Sequence, residues 1–226
     1  MPSRTIAIGD IHGCSAALRA IVAAIQPTAD DTIVTLGDYV DRGPDSRGVL
    51  DYVLELEQGF RLVPLMGNHE LMLLDALENP QVLGPWLSCG GDATLRSYDG
   101  QLRNIPHEHV EFILRTRRHY EIDTHFFVHA NYAADITLDE QPDYLLYWEH
   151  LHVHVPPPHE NGKIAIVGHT SQKSKQILDL GHVVCLDTFC HGGGWLTAMD
   201  VGSGQVWQAD RQGRMRSSQQ EGGESK

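Results

Sequence analysis

Five times along this chain an apolar run stops, and residues able to ligate a metal follow at once. The segments are GDIHG (9–13), GDYVDRG (37–43), GNHE (67–70), HA (129–130) and GHT (168–170). Open α/β sheets bind ligands just outside the carboxyl ends of their strands. Glycine at such ends lets the backbone turn sharply and approach a neighbour closely. A chain built this way is expected to bring several strand ends to one spot.

The runs themselves are TIAIG (5–9), TIVTLG (32–37), RLVPLMG (61–67), HFFVHA (125–130), KIAIVGH (163–169), HVVCLDT (182–188), GWLTAMDV (194–201) and QVWQA (205–209). Their near-continuous apolar character predicts strands covered on both faces. Helix-period segments lie between the early ones. SAALRAIVAAI (15–25) has Ser15 as an N-cap signal and Pro27 beyond its end, and DSRGVLDYVLELEQ (45–58) follows Pro44. HVEFILRTRRH (109–119) would carry its basic residues in its last turns, as the helix dipole prefers. The order predicts layered α/β with mixed sheets in a single domain over 1–210. Residues of about 71–120 read as a helical cap or insert, and the polar tail 211–226 reads as disordered.

The residue types name a chemistry. Asp10 and His12 are two apart, so on extended backbone they point the same way and can grip one cation. Asp38 comes off the neighbouring strand, where a carboxylate can bridge two ions. Asn68, His129 and His169 offer neutral oxygen and nitrogen to a second ion. His125 rivals His129 but precedes its apolar run rather than following it. Mixed carboxylate, amide and imidazole ligation suits Mn²⁺, with Fe or Zn²⁺ as alternatives, better than Ca²⁺ or soft-metal sites. Two ions roughly 3.5–4 Å apart form a device for phosphate-ester hydrolysis. Arg42 then serves as a fork on phosphate oxygens, with Asn68 beside it. His69 is placed as general acid and Asp41 as the group that orients it.

GDIHG, GDYVDRG and GNHE, in that order and followed by the two later histidines, closely resemble the phosphoprotein-phosphatase branch of the calcineurin-like metallophosphoesterases. GGDATLRSY (90–98) and LDTFCHGGGWLTAMDVGSGQVW (186–207) are similar to its short bacterial and phage-type serine/threonine protein phosphatases. The resemblance implies a four-layer α/β/β/α sandwich with two metals at the central β edge. It also implies direct attack by a metal-bridging hydroxide, without a phosphoenzyme. The implied substrates are phosphoserine and phosphothreonine in proteins, with phosphotyrosine or another small phosphate ester as further candidates. The alternative is symmetrical cleavage of diadenosine tetraphosphate by relatives with the same motifs. Longer relatives use a second phosphate-gripping arginine near a tryptophan. Here that neighbourhood reads LLYWEHLH (145–152), leaving His150 or Arg96 to stand in, or phosphate to be held more weakly.

A formal charge of −13 argues against a nucleic-acid or anionic-membrane partner, and against a nuclease. The start MPSRTIAIGD shows no apolar leader, and four cysteines without a CxxC pair suggest free thiols in a reducing cytoplasm. Cys14 is read as a small residue opening a helix, with a redox handle as the alternative. HLHVHVPPPH (150–159) is read as the polar face of an edge strand rather than a third metal site, and Trp86 and Trp148 as packing residues. A non-catalytic scaffold would be expected to carry a damaged motif, and none is seen.

Overall fold

A computed structural model describes residues 3–217. Among the described residues, ten strands form two five-stranded mixed sheets. The strands are β1 (Thr5–Ile8), β2 (Thr32–Thr35), β3 (Arg61–Pro64), β4 (His119–Glu121), β5 (His125–Val128), β6 (Ile164–Val167), β7 (Leu178–Asp179), β8 (Val183–Cys185), β9 (Leu196–Asp200) and β10 (Val206–Ala209). The first sheet runs β10-β9-β1-β2-β3 and the second β4-β5-β6-β8-β7. β1, β2 and β3 are parallel to one another, as are β5, β6 and β8. Their carboxyl ends carry the segments read above.

The helices are α1 (Ser15–Ile25), α2 (Ser46–Gly59), α3 (Asn68–Glu78), α4 (Leu83–Trp86), α5 (Asp92–Ser97), α6 (His107–Leu114) and α7 (Asp143–Trp148). Strand alternation sorts the core into three apolar layers. Ile6, Ile8 and Ile33 face α1 and α2, whereas Ala7 and Val34 face Phe127, Ile166 and Val184 of the other sheet. Phe126, Val128, Ala165 and Val167 face outward onto Tyr132, Leu146 and Tyr147. Helices thus flank two packed sheets, the expected four-layer order.

Local corrections have physical causes. The N-cap of α1 is Cys14, and the Ser15 hydroxyl instead donates to Asp45 Oδ2 at 2.5 Å. The helix expected at 109–119 starts earlier, after Pro106, and ends at Leu114, because Arg117 is drawn into the end of β3. Its N–H donates to Pro64 O and its carbonyl accepts from Met66 N, each at 2.8 Å. The stretch 150–159 is a turn and an irregular loop rather than an edge strand. Proline at 156–158 removes the donors a strand needs. Of the expected disordered tail, residues 211–217 double back instead: Met215 bridges to Ala209 and Arg216 N donates to Gln208 O. Residues 218–226 lie outside the described ones. No described helix is long and apolar enough to cross a membrane.

Candidate metal centre

Close backbone approach at the strand ends assembles the site. A Cβ on Gly67 would lie 2.3 Å from Asp38 Oδ1, and one on Gly168 would lie 2.0 Å from Asp10 Oδ1. Only glycine lets these carboxylates sit where they do. Five site residues that are not glycine have left-handed backbone: His12, Asp38, Asp41, Arg42 and His169, with φ between 43° and 69°. Such conformations cost about 1–2 kcal/mol each and cluster where function demands them.

The structure brings six candidate ligands together. Donor atoms of His12, Asp38 and His69 lie within 4.8 Å of one another, as do those of Asp38, His129 and His169. Asp38 is common to both groups, the position of a bridging ligand. Asn68 Oδ1 sits 3.0 Å from His129 Nε2 and 3.1 Å from His169 Nδ1. Asp10 belongs to neither triplet. Its buried carboxylate accepts the His169 N–H at 2.9 Å.

Each ring has one nitrogen anchored and the other turned inward. His12 Nδ1 bonds Val40 O at 2.9 Å, His129 Nδ1 bonds Leu36 O at 2.7 Å, and His169 Nε2 bonds Trp148 O at 3.1 Å. Carbonyl partners fix the tautomer and leave a lone pair on the inner nitrogen, as metal-ligating histidines require. Burial holds the Asp10 and Asp38 carboxyls well above the ordinary carboxylate range. Burial likewise lowers the pKa of His129 to about 3 and of His169 to about 2. A pocket of buried carboxylates and neutral imidazoles with inward lone pairs is short of positive charge. This donor set fits divalent cations.

His69 differs from the other rings. Its Nδ1 lies 2.7 Å from Asp41 Oδ2, and its Nε2 is buried without a hydrogen-bond partner, 4.0 Å from Asp38 Oδ2. Burial pulls its pKa below the ordinary value, against the Asp41 hydrogen bond. Asp41 is itself held by Trp86 Nε1–H at 2.8 Å and Thr94 Oγ1–H at 2.6 Å. Trp86 is therefore a donor as well as a packing residue. Arg42 Nη1 donates to His12 Nε2 at 2.9 Å, which places the guanidinium at the rim of the cluster.

The GGDATLRSY segment packs against the Arg42 and Asp41 turn. Gly90, at φ 112°, accepts the Arg42 N–H and would clash with the Arg42 side chain if it carried a Cβ. Gly91 lies under the Trp86 indole, and Thr94 bonds Asp41. Of the two stand-ins for an absent arginine, His150 stacks on His169 at 4.2 Å, whereas Arg96 lines a cavity with Arg42. His125 lies at the far end of β5 from His129.

Sequence reasoning missed three residues. Glu70 accepts the backbone N–H groups of Asp38, Tyr39 and Val40 at 2.8, 2.8 and 3.2 Å, and that of Gly67 at 3.1 Å. It was visible as the last letter of GNHE. Asp187 follows β8 and is buried beside Asp10, where burial raises its pKa. Its run ends in Leu rather than Gly, so the strand-end signal was absent. His191 meets His12 edge-on at 4.8 Å, and only the glycines after it hinted at a close approach.

Known proteins bear on this geometry. A 134-residue segment, 56% of this chain and 58% of the relative, is 35% identical to serine/threonine-protein phosphatase 1 of Salmonella typhimurium. A 72-residue segment, 31% of this chain and 25% of the relative, is 51% identical to the symmetrical bis(5'-nucleosyl)-tetraphosphatase of Photorhabdus laumondii. The matched segments thus span less than two thirds of either relative's length. Among solved structures, one described as a candidate diadenosine tetraphosphatase superposes with a TM-score of 0.70 at 21% identity, covering 92% of this chain and 94% of that one. A cold-active protein-tyrosine phosphatase from Shewanella superposes at 0.68 with 17% identity, covering 96% and 80%. Identities this low speak for the fold alone. The calcineurin-like phosphoesterase family matches residues 3–194, a span that holds every residue of the cluster, and the chain belongs to that family.

Proposed function

We propose that the chain hydrolyses phosphomonoesters of serine and threonine in proteins, with phosphotyrosine as a further substrate. The observation that carries this reading is the His69 ring, bonded to buried Asp41 through Nδ1 and offering an unpartnered Nε2 toward the Asp38 cluster. Asp10, His12, Asp38, Asn68, His129 and His169 would hold two divalent cations, Mn²⁺ in the first instance and Fe or Zn²⁺ otherwise. When bound, such cations neutralise phosphate charge and make water nucleophilic at neutral pH.

The chain's own groups do the rest. Arg42, fixed by its backbone bond to Gly90, forks onto the non-bridging phosphate oxygens. Asn68 offers its amide N–H to the same phosphate. His69 gives the proton on Nε2 to the departing alkoxide oxygen, and Asp41 stabilises the imidazolium before that transfer.

One observation favours a second reading, cleavage of a dinucleoside polyphosphate. Arg42 opens onto a groove with two further arginines, and curated relatives include symmetrical tetraphosphatases. Turnover of Mn²⁺-loaded protein on a phosphopeptide and on diadenosine tetraphosphate separates the two. Release of phosphate from the peptide is expected, and hydrolysis of the dinucleotide alone would replace the first reading by the second.

A further inference from the structure

Charge at the mouth of the site runs against the rest of the chain. The formal total is −13, yet a cavity of about 640 Å³ beside the cluster is lined by Arg42, Arg96, Arg211 and Gln212. Its other lining residues are uncharged, so three arginines line it with no acidic residue among them. A neighbouring cavity of about 540 Å³ shares Arg211 and Gln212 and is lined by His191, the ring that touches His12.

Arg211 reaches this place because the chain returns after β10 in a locked turn. Asp210 Oδ1 accepts the N–H groups of Gln212 and Arg214, each at 3.0 Å. Gly213, at φ 83°, lies so close to the start of α1 that a Cβ would sit 2.8 Å from Ala16 O. The other arginines of the turn are occupied. Arg214 is paired with Asp210, while Arg216 bonds Gln208 Oε1 at 2.8 Å and lies over the Trp195 ring. Arg211 makes no ion pair or side-chain hydrogen bond among the described residues. Among the described residues Arg96 pairs only with exposed Asp92, one turn away, a contact of the kind that contributes little and can be exchanged for phosphate.

The geometry points to Arg96 and Arg211 as a second phosphate subsite, which holds another phosphate of the same substrate while Arg42 holds the one being cleaved. Guanidinium forks match the oxygens of a phosphate dianion, and cations clustered in a cleft of an acidic protein focus the field on such a group. A polyphosphate chain and a second phosphorylated side chain supply the same chemistry. The assignment rests on the phosphatase reading above.

The test compares Mn²⁺-loaded wild type, R211Q and R96Q/R211Q on p-nitrophenyl phosphate, a doubly phosphorylated peptide and diadenosine tetraphosphate. For one of the last two, the ratio of its kcat/KM to that of p-nitrophenyl phosphate should fall about tenfold in R211Q and further in the double variant, the scale of a lost charge-assisted hydrogen bond. The loss should appear in KM. Which ratio falls identifies the source of the second phosphate. Arg211 is exposed, so the variant should keep the wild-type Tm. Unchanged ratios in both variants, with wild type active, overturn the subsite alone. A wild type inactive on all three substrates removes the phosphatase reading and the subsite together.

Discussion

Asp41 Oδ2 stands 2.7 Å from His69 Nδ1, with both side chains sealed from water. The carboxylate also takes the Trp86 indole N–H and the Thr94 hydroxyl, so it cannot swing away from the ring. Removing the ring should therefore remove proton donation and little else. His69→Asn is expected to lower kcat by about 10²–10⁴-fold, the usual scale of general-acid help. Elemental analysis should find metal content unchanged. Equal losses of metal and turnover would count against the general-acid role.

Thr94 acts through Asp41. Its hydroxyl oxygen accepts the Asp41 N–H at 2.8 Å while its proton goes to Asp41 Oδ1. Thr94→Val keeps the shape but strands Asp41 Oδ1, while the Asp41 N–H keeps only its 3.2 Å bond to Ser46 Oγ, at a cost of about 1–3 kcal/mol for a buried unsatisfied group. Urea unfolding should show that loss, and kcat should fall by more than KM changes. Thr94→Ser should restore most of both.

Glu70 gathers four backbone N–H groups from the turns that carry Asp38 and Asn68. Burial pushes its pKa up to about 7, and the N–H groups of Val40, Asp38 and Tyr39 pull the other way. Glu70→Ala would leave those donors buried and free the turn in which Asp38 holds φ 52°. Titration with Mn²⁺ should show affinity reduced by about 10–100-fold, as for other groups that orient ligands. Undiminished affinity would make Glu70 a fold residue only.

Far from the site, Asp31 accepts from Arg4 N, Nε and Nη2 and from Thr28. The Arg4 hydrogen bond holds its carboxyl well below the usual range. The folded state therefore binds this proton less readily than the unfolded chain, whose aspartates titrate near about 3.9. Its contribution is fully present above that value and fades as pH falls below it. Asp31→Asn should cost about 2–3 kcal/mol at pH 7 by urea unfolding, and the gap to wild type should narrow at pH 3. A gap that holds constant would mean the loss is one of packing.

What could be read from the chain follows from how strands and turns are written. The eight apolar runs became strands because each buries side chains on both faces, and the ends of five of them, four closed by Gly, became the candidate metal cluster. β4 and β7 were missed because HYE and LD are short and polar, and pairing with a buried neighbour alone makes them strands. The His150 region misled because alternation there serves ring stacking: His150 lies between His152 at 4.7 Å and His169 at 4.2 Å. Arg211 was hidden for another reason. Nothing local distinguishes a polar tail from a polar turn pinned against α1.

The six candidate ligands come from both halves of the sandwich: Asp10, His12, Asp38 and Asn68 follow strands of one sheet, His129 and His169 strands of the other. Cations held there would rivet the two layers at their common rim. Chelation should thus be felt by the seam as much as by the chemistry, and a stripped protein should melt earlier, its halves no longer obliged to come apart in one step.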